Sequence, residues 1–396
     1  MTDPTRRPAA DTTAVRAGGA RSGFHETSEA LYLSSGYVYN TADEARAAFA
    51  GEIQRHRYGR VSNPTTTMLE QRMAALEGAE RGLAVASGMA AVHTALLSCT
   101  QQGSRIVASR SLFGSCLTIL TELLPRFGVE TVLIDGTDLD AWEQALAPGA
   151  AVAFFETQSN PMQELVDIAS VAELAHAAGA AVVVDNAFIA PTVVHPLSLG
   201  ADLVTYSTTK HADGQGRTLG GMVLGSAERI TNDVLPWLRH TGPTLSPFNA
   251  WVVLKGLETL PLRRDRMTAS ALELAGWLEQ QAPVTRVSYP YLPSHPQHEL
   301  ATRQMTGGGS VITFELAGAT TAAFSFLDAM RLIDISNNFA DAKSMAVHPA
   351  TTTHHKVGPQ ARAAMGITDG AIRLSIGLED IEDLRADLEH ALAPLS

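Results

Sequence analysis

The sequence predicts a doubly wound α/β fold: a seven-stranded, mostly parallel sheet, followed by a smaller α+β C-terminal domain. Three observations predict it. Seven short apolar, β-branched runs recur along the chain, helix-length segments separate them, and strict alternation is lost after about residue 255. Runs without polar alternation fit strands buried on both faces. Strands alternating with helices build a parallel sheet covered on both sides.

The elements follow in chain order. Residues 1–60 are rich in Ala, Gly, Ser and Arg with little periodicity, and are expected as an N-terminal arm, ordered only where it packs on something else. The strand candidates are 82–86, 105–108, 131–134, 151–156, 181–185, 203–207 and 222–224. Helices are expected over 89–100, 113–127, 139–146 and 170–178, with Gly128 and Gly179 as stop signals. These elements make a first domain over 61–255. Residues 245–260 read as a long helix, with more helix through Trp277 and Leu278. Strands over 284–289, 310–316 and 371–376, with helices over 321–332 and 384–392, make a second domain over 256–396.

Composition narrows the function. The chain has 396 residues, 45% of them hydrophobic, which can fill sizeable cores. Its 29 Lys and Arg against 41 Asp and Glu leave a formal charge of −12, unlike a general nucleic-acid or anionic-membrane binder. Two cysteines, Cys99 and Cys116, are too few for a disulfide framework and point to a reducing, cytoplasmic setting. No apolar stretch reaches the roughly 18 residues a membrane helix needs.

Ligands of doubly wound sheets sit at the carboxyl ends of strands. Ala86-Ser87-Gly88-Met89-Ala90 lies between a strand and a helix, where small residues free backbone N–H groups to hold a phosphate. The G-x-G-x-x-G fingerprint is missing, which favours one phosphate over a pyrophosphate and disfavours a nicotinamide dehydrogenase. Asp185 ends the run Ala-Ala-Val-Val-Val, and an acid there is costly to bury without a cationic partner. A protonated pyridine nitrogen or a buried Arg would serve. Ser207-Thr208-Thr209-Lys210 sets hydroxyls that can hold a phosphate before a lysine that can bond an aldehyde. Each motif also has an ordinary reading as a tight turn, a paired acid, or a capped helix with a solvated lysine. At successive strand ends they together meet the needs of pyridoxal 5'-phosphate.

Further segments extend this set: Arg57-Tyr58-Gly59-Arg60-Val61-Ser62-Asn63-Pro64-Thr65, Glu156-Thr157-Gln158-Ser159-Asn160-Pro161, His348-Pro349-Ala350 and Arg373-Leu374-Ser375-Ile376-Gly377-Leu378-Glu379. Through them the chain resembles the trans-sulfuration (Cys/Met metabolism) family of pyridoxal-phosphate enzymes. The resemblance implies an aspartate-aminotransferase-like fold of type I, with 61–255 as the cofactor domain. It also implies that Lys210 carries the cofactor and Asp185 pairs with its ring nitrogen. Ser87, Gly88, Met89, Ser207 and Thr209 would hold the phosphate, and Asn160 would lie near the ring hydroxyl. Tyr58 and Arg60 would complete a neighbouring subunit's phosphate site, in a homotetramer built from dimers that share active sites. Arg373 would hold the substrate carboxylate, helped by Ser336 and Asn337, and a planar fork suits that task.

Phe113 stands where many members of the family have a stacking Tyr, and it has no hydroxyl for acid–base work. Phe113-Gly114 resembles the branch that acts on O-succinylhomoserine with sulfide, and Ser115 counts against methionine γ-lyase activity. Cys116 is expected as helix packing. Gly307-Gly308-Gly309 precedes a strand and reads as a strand-entry bend. His348, His354 and His355 lack metal-site spacing, and no metal is expected. The activity implied is γ-replacement on O-succinyl-L-homoserine with sulfide, giving L-homocysteine and succinate in methionine biosynthesis. The alternatives are cystathionine γ-synthase, cystathionine γ-lyase, O-acetylhomoserine sulfhydrylase and a non-catalytic scaffold. Retention of both Lys210 and Asp185 argues against the scaffold.

Overall fold

The computed structural model describes residues 8–395, so the first seven residues of the arm lie outside the described residues. All seven expected strands form: β1 (Arg81–Val85), β2 (Arg105–Ser109), β3 (Glu130–Ile134), β4 (Val152–Glu156), β5 (Ala181–Asp185), β6 (Leu203–Ser207) and β7 (Gly221–Gly225). They make one sheet in the order β1-β7-β6-β5-β4-β2-β3. β7 alone runs opposite to the other six strands. β4 and β5 are buried along their whole length, as continuous apolar strands require, while β3 closes one edge and is half exposed.

The arm holds two short helices, α1 (Ala10–Arg16) and α2 (Ala42–Ala50), which the lack of periodicity concealed. It is anchored on α3 (Pro64–Glu77), where Asn63 caps the first turn and Gly78, at φ 84°, closes the last. The fully buried Arg72 of α3 donates to Glu29 at 2.6 Å and to the Ala17 carbonyl at 2.8 Å. The next helices are α4 (Gly88–Ser98), α5 (Gly114–Thr118), α6 (Leu139–Leu146) and α7 (Ile168–Ala177). The single helix expected over 113–127 is broken: α5 passes into a wider π turn (Ile119–Leu123) and then a tight 3-10 turn (Leu124–Phe127). Pro125 has no N–H to give the fourth carbonyl before it, so the helical ladder cannot continue.

Two helices, Pro247–Leu257 and Leu260–Leu278, lead to the second sheet. Its strands are β8 (Val284–Ser288), β9 (Val311–Leu316), β10 (Asp334–Ile335), β11 (Met345–Val347) and β12 (Ala371–Ser375), in the order β10-β11-β12-β9-β8. The expected bend at the triple glycine precedes β9, with Gly309 at φ 84°. The first sheet is packed on both faces, by clusters around Phe155 and Leu254 and around Phe154 and Leu120. A separate core around Phe314 and Phe326 fills the second sheet against helix Ile381–Leu392.

Candidate active site

The parallel strands of the first sheet end along one edge, and a cavity of about 780 Å³ opens there. Register sets its floor. Glu156 at the end of β4 pairs with Asp185 at the end of β5, and Ser207 at the end of β6 lies opposite Gly221. After β1, Ser87 caps α4 by accepting from the Ala90 N–H at 3.1 Å, which leaves the first N–H groups of α4 facing the cavity wall. Backbones crowd here. A Cβ on Gly221 would lie 2.1 Å from the Ser87 carbonyl, and one on Gly88 would lie 2.7 Å from the Ser207 Cβ. Only glycine permits that approach.

Ser87, Gly88, Met89, Phe113, Asn160, Asp185, Ser207, Thr209, Lys210, Asn337 and Arg373 all line this one cavity. Tyr58 and Arg60 do not line it. Tyr58 is 49% exposed, Arg60 lies 5.4 Å from its ring centroid, and the Arg60 guanidinium donates to the Arg239 carbonyl. Ser336 is also off the wall. Its hydroxyl accepts from the Asn338 N–H at 3.2 Å and shapes the turn that follows β10. The neighbouring Asn338, not singled out from the sequence, reaches the site instead and accepts from the Lys210 Nζ.

The electrostatics are unbalanced in a useful way. Burial, with the Arg373 charge adding to it, lowers the Lys210 amine to about 8. Its Nζ lies 4.4 Å from the Phe339 ring centroid, and the Arg373 guanidinium lies 5.3 Å from the same centroid. Arg373 rises from β12 of the second sheet and is 1% exposed. It donates to Asn160 Oδ1 at 3.0 Å and to the Asn337 and Asn338 carbonyls at 2.8 and 3.1 Å, while its Nε has no acceptor among the described residues. No carboxylate pairs with it there, and burial lowers it to about 10.

Asp185 is the converse. It accepts from the Ala187 N–H at 3.1 Å, is 8% exposed, and meets no cation among the described residues. Burial raises its pKa. Glu156 accepts from the Phe113 N–H at 2.6 Å and the Asn160 N–H at 3.4 Å, so one carboxyl ties together the loops carrying both residues. Burial first, and then the Asp185 charge, raises Glu156. Cys116 is fully buried in α5, with Sγ 4.0 Å from Asp185 Oδ2, and packs with Leu120 and Phe154 as expected of a helix-packing residue. Glu156 opens the motif Glu156-Thr157-Gln158-Ser159-Asn160-Pro161, and its bracing task shows only in the structure. Phe188 belongs to the motif Val184-Asp185-Asn186-Ala187-Phe188, while Arg217, Asn338 and Phe339, which also line the cavity, fall outside every motif of the sequence. Of the histidines, His348 donates from Nε2 to the Asp369 carbonyl at 2.9 Å and bonds the Thr351 hydroxyl through Nδ1, and His354 is fully buried and lowered to about 4 by burial.

The profile of the Cys/Met metabolism PLP-dependent enzyme family matches residues 11–393, and the chain belongs to that family, whose enzymes depend on pyridoxal 5'-phosphate. It is similar to O-succinylhomoserine sulfhydrylase from Mycobacterium tuberculosis strain H37Rv, 56% identical over 386 residues that cover 96% of this chain and 95% of that one. To the O-succinylhomoserine sulfhydrylase of Pseudomonas aeruginosa it is 49% identical over 385 residues, 97% of this chain and 95% of the other. Among solved structures, cystathionine gamma synthase from Xanthomonas oryzae pv. oryzae, in complex with aminoacrylate and cysteine, shares the fold with a TM-score of 0.93. It is 34% identical and covers 98% of both chains.

Proposed function

We propose that this chain replaces the succinyl ester of O-succinyl-L-homoserine with sulfide, releasing L-homocysteine and succinate. One observation carries the reading: a single cavity holds a half-buried lysine amine, a buried carboxyl without a cation and a buried guanidinium without an anion among the described residues. Each lacks the partner that a PLP enzyme acting on an amino acid would bring. The two sulfhydrylases at 56% and 49% identity support the choice of substrate.

The cofactor fits these residues. Asp185, which meets no cation among the described residues, would hold the ring nitrogen protonated. Ser87, Ser207, Thr209 and the first N–H groups of α4, at Gly88 and Met89, would hold the phosphate in the space that Gly88 and Gly221 keep open. Asn160 would meet the ring hydroxyl and Phe113 would stack. When bound, PLP supplies an aldehyde that captures the amino acid and a ring that accepts electrons from its α-carbon.

The chain's own groups do the rest. Arg373 binds the α-carboxylate through its unpartnered edge, with Asn337 and Asn338 holding the guanidinium by their carbonyls. Lys210, with its pKa lowered to about 8, is a usable proton acceptor near neutral pH. Asn338 and the Phe339 face hold its Nζ between transfers, so the amine can take a proton from one substrate carbon and return it to another. Apolar walls at Phe113, Phe188 and Phe339 exclude water that would compete with the sulfide.

The organisation we propose is an arm over 1–60, a PLP-binding domain over 61–255 and a C-terminal domain over 256–396. Tyr58 and Arg60, exposed and away from their own cavity, would enter a neighbour's in a homotetramer built from two such dimers. No helix among the described residues is long and apolar enough to cross a membrane, and both cysteines are free, which supports a cytoplasmic site of action. Steady-state kinetics with succinyl and acetyl homoserine, each against sulfide and cysteine, tests the reading. The expected best pair is the succinyl ester with sulfide, giving homocysteine. A preference for cysteine, giving cystathionine, would make the chain a cystathionine γ-synthase instead, and no turnover by the cofactor-loaded protein would make it a scaffold.

A further inference from the structure

Three cations line the cavity among the described residues, and the mechanism uses only Lys210 and Arg373. The third is Arg217, on the loop between Lys210 and β7. It is held firmly. Its Nε donates to Asp213 Oδ1 at 2.9 Å, its Nη2 to the Asp213 carbonyl at 3.2 Å, and its backbone N–H to Asp213 Oδ2 at 2.7 Å. Asp213 is fully buried and serves a second guanidinium as well: Arg263 lies close enough to feel the charges of both Asp213 and Arg217. The donors of Arg263 go to the carbonyls of His211, Ala212 and Gly256 and to the Thr259 hydroxyl rather than to a carboxylate. The other nearby acid, Asp341, pairs with Lys343 at 3.8 Å. Arg217 therefore keeps part of its positive charge uncompensated. Its Nη1 has no acceptor among the described residues, and its side chain stays 37% exposed.

We infer that Arg217 binds the far carboxylate of the succinyl group and so selects a dicarboxylate substrate over an acetyl ester. The inference rests on the sulfhydrylase reading. O-succinyl-L-homoserine carries two carboxylates, and Arg373 can hold only the one on the α-carbon. The second enters the same cavity at the end of the acyl chain, where an anion without a cation is costly to desolvate. A guanidinium already pinned through Nε by a buried acid loses little freedom when its open edge meets a carboxylate. The acidic groups on the wall, Asp185 and Glu156, sit at the strand ends on the floor of the cavity. An acetyl ester offers Arg217 nothing.

The test uses the holoenzyme with two variants, R217K and the double variant R217Q/D213N, which removes the buried acid together with its cation and leaves Arg263 its carbonyl acceptors at His211 and Gly256. The kcat/KM for succinyl and acetyl homoserine is measured with saturating sulfide. In the double variant the succinyl-to-acetyl ratio falls by about 10- to 100-fold, the worth of a hydrogen bond to a charged group. The fall comes through KM for the succinyl ester, with R217K in between. Inhibition by free succinate weakens by a similar factor, and inhibition by acetate does not. A ratio that stays put, or the two esters losing activity together in both variants, overturns the inference and makes Arg217 a brace for its loop. Wild-type protein that does not turn over the succinyl ester is a separate outcome. It overturns the sulfhydrylase reading, and the role of Arg217 falls with it.

Discussion

Replacing Arg373 by Leu removes the one guanidinium that the second sheet gives to the wall among the described residues, and the structure sets the size of the effect. Three of its contacts are internal, to Asn160 Oδ1 and to the Asn337 and Asn338 carbonyls, and its Nε is free. A carboxylate accepting two charge-assisted hydrogen bonds gains about 1.5–3 kcal/mol from each. Their loss comes to about 3–6 kcal/mol, a fall in kcat/KM of about 10²- to 10⁴-fold at 1.36 kcal/mol per decade. Folding is much less affected. The buried charge has no anion beside it, so removing it relieves a desolvation cost that offsets part of the three lost bonds. Arg373→Lys keeps the charge but cannot span a planar carboxylate, and recovers at most a tenth of the lost activity. The assay is steady-state kinetics on R373L and R373K, with cofactor absorbance and a thermal melt as controls. R373L turning over within threefold of wild type would refute the reasoning, as would a loss of bound cofactor in parallel with activity, because Arg373 is argued to touch the substrate.

Three further outcomes are expected. In cofactor-free protein the Lys210 amine reacts with an amine-directed reagent half-maximally near pH 8, not near 10.5. Its folded pKa lies below its unfolded one, so the unfolded chain holds the proton longer and the apo-protein gains stability between about pH 8 and 10.5. Lys210→Met abolishes both this gain and catalysis. Gly88→Ala, whose new Cβ would lie 2.7 Å from Ser207 Cβ, weakens cofactor binding at least about tenfold by equilibrium dialysis while leaving the far-UV spectrum unchanged. Asp387, nearly buried in helix Ile381–Leu392, accepts from the backbone N–H groups of Arg331, Leu332 and Ile333 at 2.8, 3.0 and 2.9 Å. Asp387→Ala strands three donors and costs about 2–4 kcal/mol in urea unfolding, and a loss under 1 kcal/mol would show that water replaces the carboxylate.

The first sheet was legible because its strands are buried on both faces, so Ala-Val-Val-Val-Asp and its counterparts are nearly pure apolar runs. A doubly wound sheet also announces where its ligands sit, and this brought Ser87, Asp185, Ser207 and Lys210 to one cavity. Segments without period were harder. β10 and β11 are two and three residues long, too short for any alternation to show. The loop between them has no repeat to fix its phase, so Ser336 was named where Asn338 reaches the lysine. Pro125 was a readable signal for the broken helix, and its missing N–H outweighed the apolar spacing around it. Glu156 and Arg217 lie outside such reasoning, because their importance comes from partners remote in sequence or from an edge left open.

The lysine and the arginine proposed to grip one small molecule stand on different foundations. Lys210 follows β6, whose position is held by apolar packing around Val204 and Val183, and Arg373 stands on β12, held by packing around Phe314 and Leu374. The gap between amine and guanidinium is therefore a ruler whose two ends are mounted on separate cores. Repacking either core, at a residue that never meets the ligand, resets the length the ruler reads. Substrate chain length can then drift by mutation far from the cavity, while every residue that touches the substrate stays the same.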